Sequence, residues 1–163
     1  MQKTKEPQYS ICLEVKEKHG TTSLGLMSNQ VWYDDPKRMA FVLSRYKFVA
    51  KMLGGFEKVL EVGCADGCGS RIVRQQVSEL DALGFDPIFI LNAKEHNIHR
   101  KWQINFYVHD ILESSTLNRY NAVYSLDVLE HIPSEKEDIY FENICQIGSP
   151  TVSSCRFRNG SSF

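Results

Sequence analysis

The chain has 163 residues, of which 42% are hydrophobic and 24% are charged, the size and balance of one globular domain with a sizeable core. Nineteen Lys and Arg against twenty Asp and Glu leave a formal net charge of −1, so no global field favours a nucleic-acid partner. No run approaches the roughly 18 apolar residues of a membrane span, and no apolar segment follows the first lysines as in a signal peptide. We therefore expect neither a nucleic acid nor a membrane as partner.

The cysteines and histidines show no metal-binding spacing. The five cysteines are an odd number without a framework pattern, which suits reduced thiols and predicts a cytoplasmic protein. Cys64 and Cys68 lie close together, but no second Cys or His pair follows at the spacing of a zinc site. We expect no metal and two small buried thiols rather than a nucleophile.

The first part of the chain is polar, and its glycines signal turns. Residues 1–35 are predicted to form a loose N-terminal segment with one short helix. Asp34-Asp35-Pro36 then predicts a helix start, with an acidic cap and proline in the first turn, and Gly54-Gly55 predicts its end. The basic residues of this helix are expected to form a solvated face. Trp32 and Tyr33, just before it, fit core packing better than a lid over a ligand.

The middle of the chain alternates between apolar strands and amphipathic helices. The predicted strands are 58–62, 80–85, 104–108 and 122–126; the predicted helices are 70–77, 87–96 and a third, opened by a capping box at Ser134–Glu137 and running to about Ile147. Such an alternation with continuous apolar strands predicts an α/β fold: a Rossmann-like, doubly wound, mainly parallel sheet in three layers, αβα. Residues 36–147 are the predicted core domain.

The last residues, 148–163, depart from this pattern. They are rich in serine and contain no acidic residue. A fifth buried strand belongs here, but only the weak segment 151–157 is available for it. We predict an atypical C-terminal tail and an incomplete set of C-terminal strands.

A glycine-rich turn follows the first predicted strand. Glu61, Gly63, Ala65 and Gly67 give the pattern acidic-x-Gly-x-small-x-Gly between a strand and a helix. Glycines allow a sharp turn and close approach of a ligand, and the helix N-terminus offers free N–H donors. The pattern G-x-G-x-x-G of dinucleotide-binding proteins fails at two of its three glycines, which disfavours a nicotinamide-dependent oxidoreductase.

Acidic residues follow each of the next three strands. Asp86 precedes Pro87 and suits the two hydroxyls of a ribose, which can share one carboxylate. Asp110, beside the apolar Ile111, suits an exocyclic amine and the face of a base. Asp127 follows Leu126 in the segment that continues to His131. All these positions are carboxyl ends of strands, where open α/β sheets bind ligands.

Together, these motifs resemble the class I S-adenosylmethionine-dependent methyltransferases over residues 36–147. The resemblance implies S-adenosylmethionine as cofactor, with S-adenosylhomocysteine as product, and methyl transfer to an unidentified, small-molecule or other, acceptor. The residues that it assigns to the cofactor are Glu61, Gly63, Cys64, Ala65, Gly67, Asp86, Pro87, Asp110, Ile111 and Leu126. Asp127 and His131 are the best-placed candidates for a catalytic base. The family's sheet normally has seven strands, whereas this chain supplies four or five.

Simpler roles compete with these assignments. Asp86 could cap the helix that Pro87 opens, Asp110 could close a turn, and Glu130 and His131 could orient a loop. The alternative function is a non-catalytic S-adenosylmethionine-binding remnant that serves as a binding or interaction module. An apolar sheet edge left without its outer strands also predicts self-association through that edge.

Overall fold

The computed structural model describes residues 4–98, 101–116 and 118–148, and the backbone of a strand at residues 152–155. The α-helices are α1 (Ser10–His19), α2 (Leu26–Asp34), α3 (Pro36–Met52), α4 (Ser70–Arg74), α5 (Pro87–Asn97) and α6 (Glu137–Ile147). The strands are β1 (Lys58–Val62), β2 (Glu79–Gly84), β3 (Asn105–Val108), β4 (Ala122–Leu126) and β5 (Val152–Cys155). Short 3-10 turns span Pro7–Tyr9, Leu129–His131 and Ser134–Lys136.

All five strands form one parallel sheet in the order β3-β2-β1-β4-β5. The order reverses between β1 and β4, so the sheet is doubly wound and the predicted fold class is confirmed. β5 pairs with β4 in the register Val123↔Val152 to Leu126↔Cys155. The weak C-terminal segment therefore does form a fifth strand, although positions 151, 156 and 157 of the predicted segment lie outside the described residues.

The two faces of the sheet bury separate apolar clusters. On one face, residues of α3, α4 and α5 pack on the strands, with Val49, Val73 and Ile90 almost completely buried. On the other face, Tyr140, Ile144 and Ile147 of α6 pack against β1 and β4. Helices on both faces make the predicted three layers. Among the described residues, no helix combines the length and the apolar character needed to cross a membrane.

The predicted helix at residues 70–77 ends three residues early. After Arg74, the backbone pairs with the turn before β1: Gly55 donates to the carbonyl of Gln76 (3.0 Å) and Ser78 donates to that of Phe56 (3.1 Å). The Arg74 guanidinium also donates to the carbonyl of Val77 (2.8 Å). These contacts hold residues 76–78 in a turn, so they cannot continue the helix.

The predicted capping box before α6 is wrong. Residues Ser134–Lys136 form a 3-10 turn, and α6 begins only at Glu137. The Ser134 hydroxyl donates to the neighbouring Glu135 carboxylate (3.4 Å), and its oxygen does not accept from a backbone N–H at the start of the helix. At α3 the predicted cap is confirmed, since Asp35 accepts from the Lys37 N–H (3.1 Å).

The N-terminal segment contains two α-helices, where a loose chain with one short helix was expected. α1 buries none of its residues, and its apolar Ile11 and Val15 are exposed. α2 buries Ser28 and Val31, and it packs beside α3 and the glycine-rich turn. Trp32 and Tyr33, in its last turn, are exposed, which makes the expectation of core packing wrong.

Candidate active site

The glycine-rich turn follows β1 and is hydrogen-bonded to the carboxyl end of β2. The N–H groups of Gly63 and Cys64 both donate to the carbonyl of Leu83, at 2.9 Å. Gly63 (φ 83°) and Gly67 (φ 68°) have left-handed backbones. A Cβ on Gly67 would lie 2.5 Å from the Phe106 ring, and one on Gly63 would overlap the side chain of Val128. The fold therefore requires glycine at both positions.

Ala65 also has a left-handed backbone, with φ 47°. Side chains with a Cβ are disfavoured in this region by roughly 1–2 kcal/mol. The small residue of the sequence pattern thus occupies a position whose backbone favours glycine. Its Cβ is tolerated but the turn is strained.

Glu61 lies completely inside the protein, with 0% of its surface exposed. The hydroxyls of Tyr46 and Tyr124 donate to its two carboxylate oxygens, at 2.8 and 2.9 Å. Burial raises the pKa of Glu61, and hydrogen bonding with Ser70 and then with the two tyrosines opposes this effect. The carboxyl group links α3, β1 and β4, and its predicted contact with a cofactor stays a prediction.

The two thiols of the turn are partly or fully buried, as expected from the sequence. Burial is the largest cause that raises the pKa of both Cys64 and Cys68. Both thiols are therefore protonated near neutral pH and are poor nucleophiles. The side chain of Cys64 lies in the apolar core, so its backbone, and not its thiol, lines the turn.

Asp66 is a site residue that the sequence analysis missed. It accepts from the N–H and the hydroxyl of Ser28, at 2.6 and 3.0 Å, and from the N–H of Cys68 at 3.1 Å. A carboxylate from the glycine-rich turn thereby caps the first turn of α2. Gly25 is needed for this approach, because a Cβ there would lie 2.5 Å from the Asp66 side chain.

Asp86 lies at the end of β2 and caps α5. Its Oδ1 accepts from the Ile88 N–H (2.8 Å), and Pro87 occupies the first position of the helix. The capping role that competed with the ribose role is therefore present. Within the described residues, no hydrogen bond engages Oδ2, so one oxygen of this half-buried carboxylate is available to a ligand.

Asp110 follows β3 and closes a turn. Its Oδ1 accepts from the Leu112 N–H (2.9 Å), while the neighbouring Ile111 is buried in the apolar cluster under α6. The His109 N–H donates to the carbonyl of Gly84 (3.0 Å), which holds this loop beside the end of β2. Asp86 and Asp110 thus lie at adjacent ends of neighbouring strands.

Asp127 follows the buried Leu126 at the end of β4 and is ion-paired with Arg45 of α3. Its backbone is left-handed, with φ 56°. Partial burial raises the pKa of Asp127, and Arg45 is the largest influence that lowers it. The expectation of a solvated basic face on α3 is therefore wrong for Arg45.

His131 lies in the 3-10 turn after Asp127, and its side chain is exposed. Its N–H donates to the carbonyl of Val128 (2.9 Å), and its positive charge is among the smaller influences that lower the pKa of Asp127. Its role in catalysis stays a prediction. In the part of the chain that the structure describes, no three His, Cys, Asp or Glu side chains are grouped as a metal site.

Comparison with known proteins assigns the family. Residues 31–150 match the methyltransferase domain family. The ubiquinone biosynthesis O-methyltransferase of Xanthomonas axonopodis pv. citri is 25% identical over 113 residues, which cover 66% of this chain and 47% of that protein. The chain thus spans about half the length of this curated relative.

Solved structures of methyltransferases share the fold. The N-methyltransferase NodS of Bradyrhizobium japonicum, in complex with S-adenosylhomocysteine, matches this chain with a TM-score of 0.62 at 19% identity. The match covers 72% of this chain and 60% of the NodS chain. The magnesium protoporphyrin IX methyltransferase of Synechocystis, with bound S-adenosylmethionine, matches with a TM-score of 0.56 at 15% identity. This match covers 91% of this chain and 75% of that methyltransferase.

The chain belongs to the methyltransferase domain family, and its fold is that of the class I S-adenosylmethionine-dependent enzymes. The resemblance predicted from the sequence motifs is confirmed. The nicotinamide-dependent alternative and the non-catalytic alternative gain no support from these comparisons.

Proposed function

We propose that this chain binds S-adenosylmethionine at the carboxyl edge of its sheet and transfers the methyl group to an acceptor. The observation that carries this proposal is the convergence of four segments at that edge. They are the glycine-rich turn after β1, Asp86 after β2, Asp110 after β3 and Asp127 after β4. The order reverses between β1 and β4, which is where doubly wound sheets bind ligands.

The residues at this edge fit the chemistry of the cofactor. Asp86 and Asp110 each use only Oδ1 for a local backbone hydrogen bond. In each case Oδ2 can accept from a ligand, which suits the ribose hydroxyls at Asp86 and the adenine amine at Asp110. Bound S-adenosylhomocysteine or S-adenosylmethionine in the related structures supports S-adenosylmethionine as the cofactor.

The remaining predicted residues would shape the walls of this site. The left-handed turn at Gly63, Ala65 and Gly67 brings backbone rather than side chains to the ligand, and the backbone of Cys64 continues it. Pro87 borders the adenine side, and Leu126 borders the methyl side. Ile111, packed below its loop, fixes the position of Asp110.

The cofactor supplies an electrophilic methyl group on a sulfonium, so the protein's task is to align the acceptor and to exclude water. Where the acceptor is a hydroxyl or an amine, a base must take its proton. We assign this role to Asp127. Its raised pKa makes its carboxylate a stronger base than an exposed one, and the neighbouring Arg45 favours the ionised form.

We infer that the acceptor is a small molecule. The names of the relatives describe an O-methyltransferase of ubiquinone biosynthesis, an N-methyltransferase and a protoporphyrin methyltransferase. They support transfer to oxygen or nitrogen of a small acceptor without choosing between the two atoms.

Two measurements test the proposal. Amide NMR spectra recorded during titration with S-adenosylmethionine should shift signals of residues 61–67, Asp86 and Asp110, and NAD should shift none of them. Incubation with methyl-labelled cofactor and panels of phenols and amines should transfer the label to one class. Shifts confined to other regions would refute the assigned site, and binding without any transfer would leave the activity unsupported.

We also propose a division into an N-terminal segment (1–35), a methyltransferase core (36–147) and a C-terminal tail (148–163), in a cytoplasmic protein. β5 is the outer strand of the sheet on this side, and self-association through it stays a prediction. Light scattering on dilute protein tests it: a dimer supports pairing through β5, and a monodisperse monomer contradicts it.

A further inference from the structure

Helix α3 carries a second apolar surface besides the one that it buries. Phe41, Phe48 and Met52 are 69%, 53% and 59% exposed. Phe48 lies seven residues after Phe41 and four residues before Met52, a spacing that aligns all three along one side of a helix. We call these three residues the α3 stripe. Three large exposed apolar side chains in a row indicate a contact surface.

The charges of α3 are all positive. Its charged residues are Lys37, Arg38, Arg45, Lys47 and Lys51, in a chain whose formal net charge is −1. Among the described residues, Arg45 is the one of these five that is ion-paired, through Asp127. The other four keep their charge available at the surface.

The lysines border the α3 stripe. Lys37 lies one helical turn before Phe41, and Lys51 lies just under one turn after Phe48, so both ammonium groups flank the apolar line. An apolar line with basic residues along its border suits the boundary between lipid headgroups and acyl chains. The apolar side chains enter the boundary while the lysines meet anionic headgroups.

We propose that the α3 stripe docks the protein onto an anionic lipid surface. The expectation of no membrane partner rested on the absence of a spanning segment, and a peripheral contact needs none. None of the three residues of the α3 stripe is assigned to the cofactor, and the proposal does not depend on the proposed activity.

Charge argues against one other occupant, and apolar character argues against another. A second copy of the chain, joined stripe to stripe, would bring two wholly positive helices together, and like charges repel. A nucleic acid would pair with the lysines and stack bases on the two phenylalanine rings, but it would leave the aliphatic Met52 in water. An anionic lipid surface complements both the charge and the apolar side chains.

Sedimentation with vesicles tests the proposal on the full 163-residue chain. The protein should sediment with vesicles of phosphatidylcholine and phosphatidylglycerol, should remain in solution with phosphatidylcholine alone, and should dissociate as salt is added. Phe48→Ser should weaken binding about tenfold. Lys51→Gln should weaken it about fivefold.

Matched variants on α5 provide the control. Leu91, 60% exposed, and the exposed Lys94 offer the same substitutions away from α3, so Leu91→Ser and Lys94→Gln should leave vesicle binding unchanged. Circular dichroism should show all four variants folded, and Phe48→Ser should keep its affinity for S-adenosylhomocysteine.

Several results would overturn the proposal. These are no sedimentation with anionic vesicles, equal loss in the α3 and α5 variants, and binding to RNA oligonucleotides but not to vesicles. A stable dimer that Phe48→Ser dissociates would instead assign the α3 stripe to a second copy of the chain.

Discussion

The guanidinium of Arg45, on α3, is ion-paired with the carboxylate of Asp127, which lies 82 residues later at the end of β4. The contact joins the helix that precedes the sheet to the segment where we place the methyl acceptor. Because Asp127 is only partly buried, the pair contributes little to stability, and its consequence is the protonation state of the proposed base.

Replacing Arg45 should therefore change the titration of Asp127. Arg45→Met removes the largest influence that lowers the pKa of Asp127 and leaves burial to raise it further. Carboxyl-carbon NMR should show Asp127 titrating at higher pH than in the wild type. Lys47→Met, an exposed change on the same helix, should leave the titration unchanged. Identical curves for wild type and Arg45→Met would show that the ion pair does not hold in solution.

Removing Asp66 should release α2 from the glycine-rich turn. Asp66→Ala loses the hydrogen bonds from the Ser28 N–H, the Ser28 hydroxyl and the Cys68 N–H. The loss of such a cap costs about 1–2 kcal/mol of unfolding free energy. Hydrogen exchange in residues 26–34 should become faster. The control Asp35→Ala should instead speed hydrogen exchange first in α3. Unchanged exchange in α2 after Asp66→Ala would contradict the capping role.

Ala65→Gly should stabilise the protein. The left-handed backbone at Ala65 costs a Cβ-bearing residue roughly 1–2 kcal/mol, whereas the freer unfolded chain of a glycine variant costs about 0.4–1 kcal/mol. The expected net gain is about 0.5–1 kcal/mol in urea denaturation. Ala93→Gly, inside the helical α5, is the control and should destabilise. A loss of stability in Ala65→Gly would mean that the turn is not strained.

The unfolding free energy of the Glu61→Gln variant should rise relative to that of the wild type as pH increases. Burial raises the pKa of Glu61 in the folded protein above its unfolded value. Between those two values the folded state holds a proton that the unfolded state has released, so wild-type unfolding free energy falls with increasing pH. Glutamine does not titrate. Urea denaturation at about pH 4 and about pH 7 should show this trend, and a constant difference would contradict it.

Local patterns in the sequence predicted the frame of the fold. β1 and β4 have the predicted boundaries because both are short, mainly apolar runs that are buried in the middle of a parallel sheet. The start of α3 followed from an acidic cap and a proline, and the structure has both in place. The positions of Asp86 and Asp110 at carboxyl ends of strands followed from the strand that precedes each of them in the sequence.

The missed features depend on contacts between distant residues. The cap of α2 comes from Asp66, 38 residues beyond Ser28, and the partner of Arg45 lies on another layer of the fold. No local pattern contains such pairs. The hydrogen bond from Tyr46 to Glu61 likewise becomes visible only when α3 is packed on β1.

Calorimetric titration of the wild type and of Asp86→Asn with S-adenosylhomocysteine is the decisive test of the proposed cofactor site. Asparagine caps a helix as well as aspartate does, so the variant should keep the N-terminus of α5 and its stability. It loses the charged oxygen that we assign to the ribose, which should cost about 1.5–3 kcal/mol of binding free energy, at least tenfold in affinity. We expect one-to-one binding to the wild type and that loss in the variant. No binding to the wild type, or equal affinity for both proteins, would contradict it.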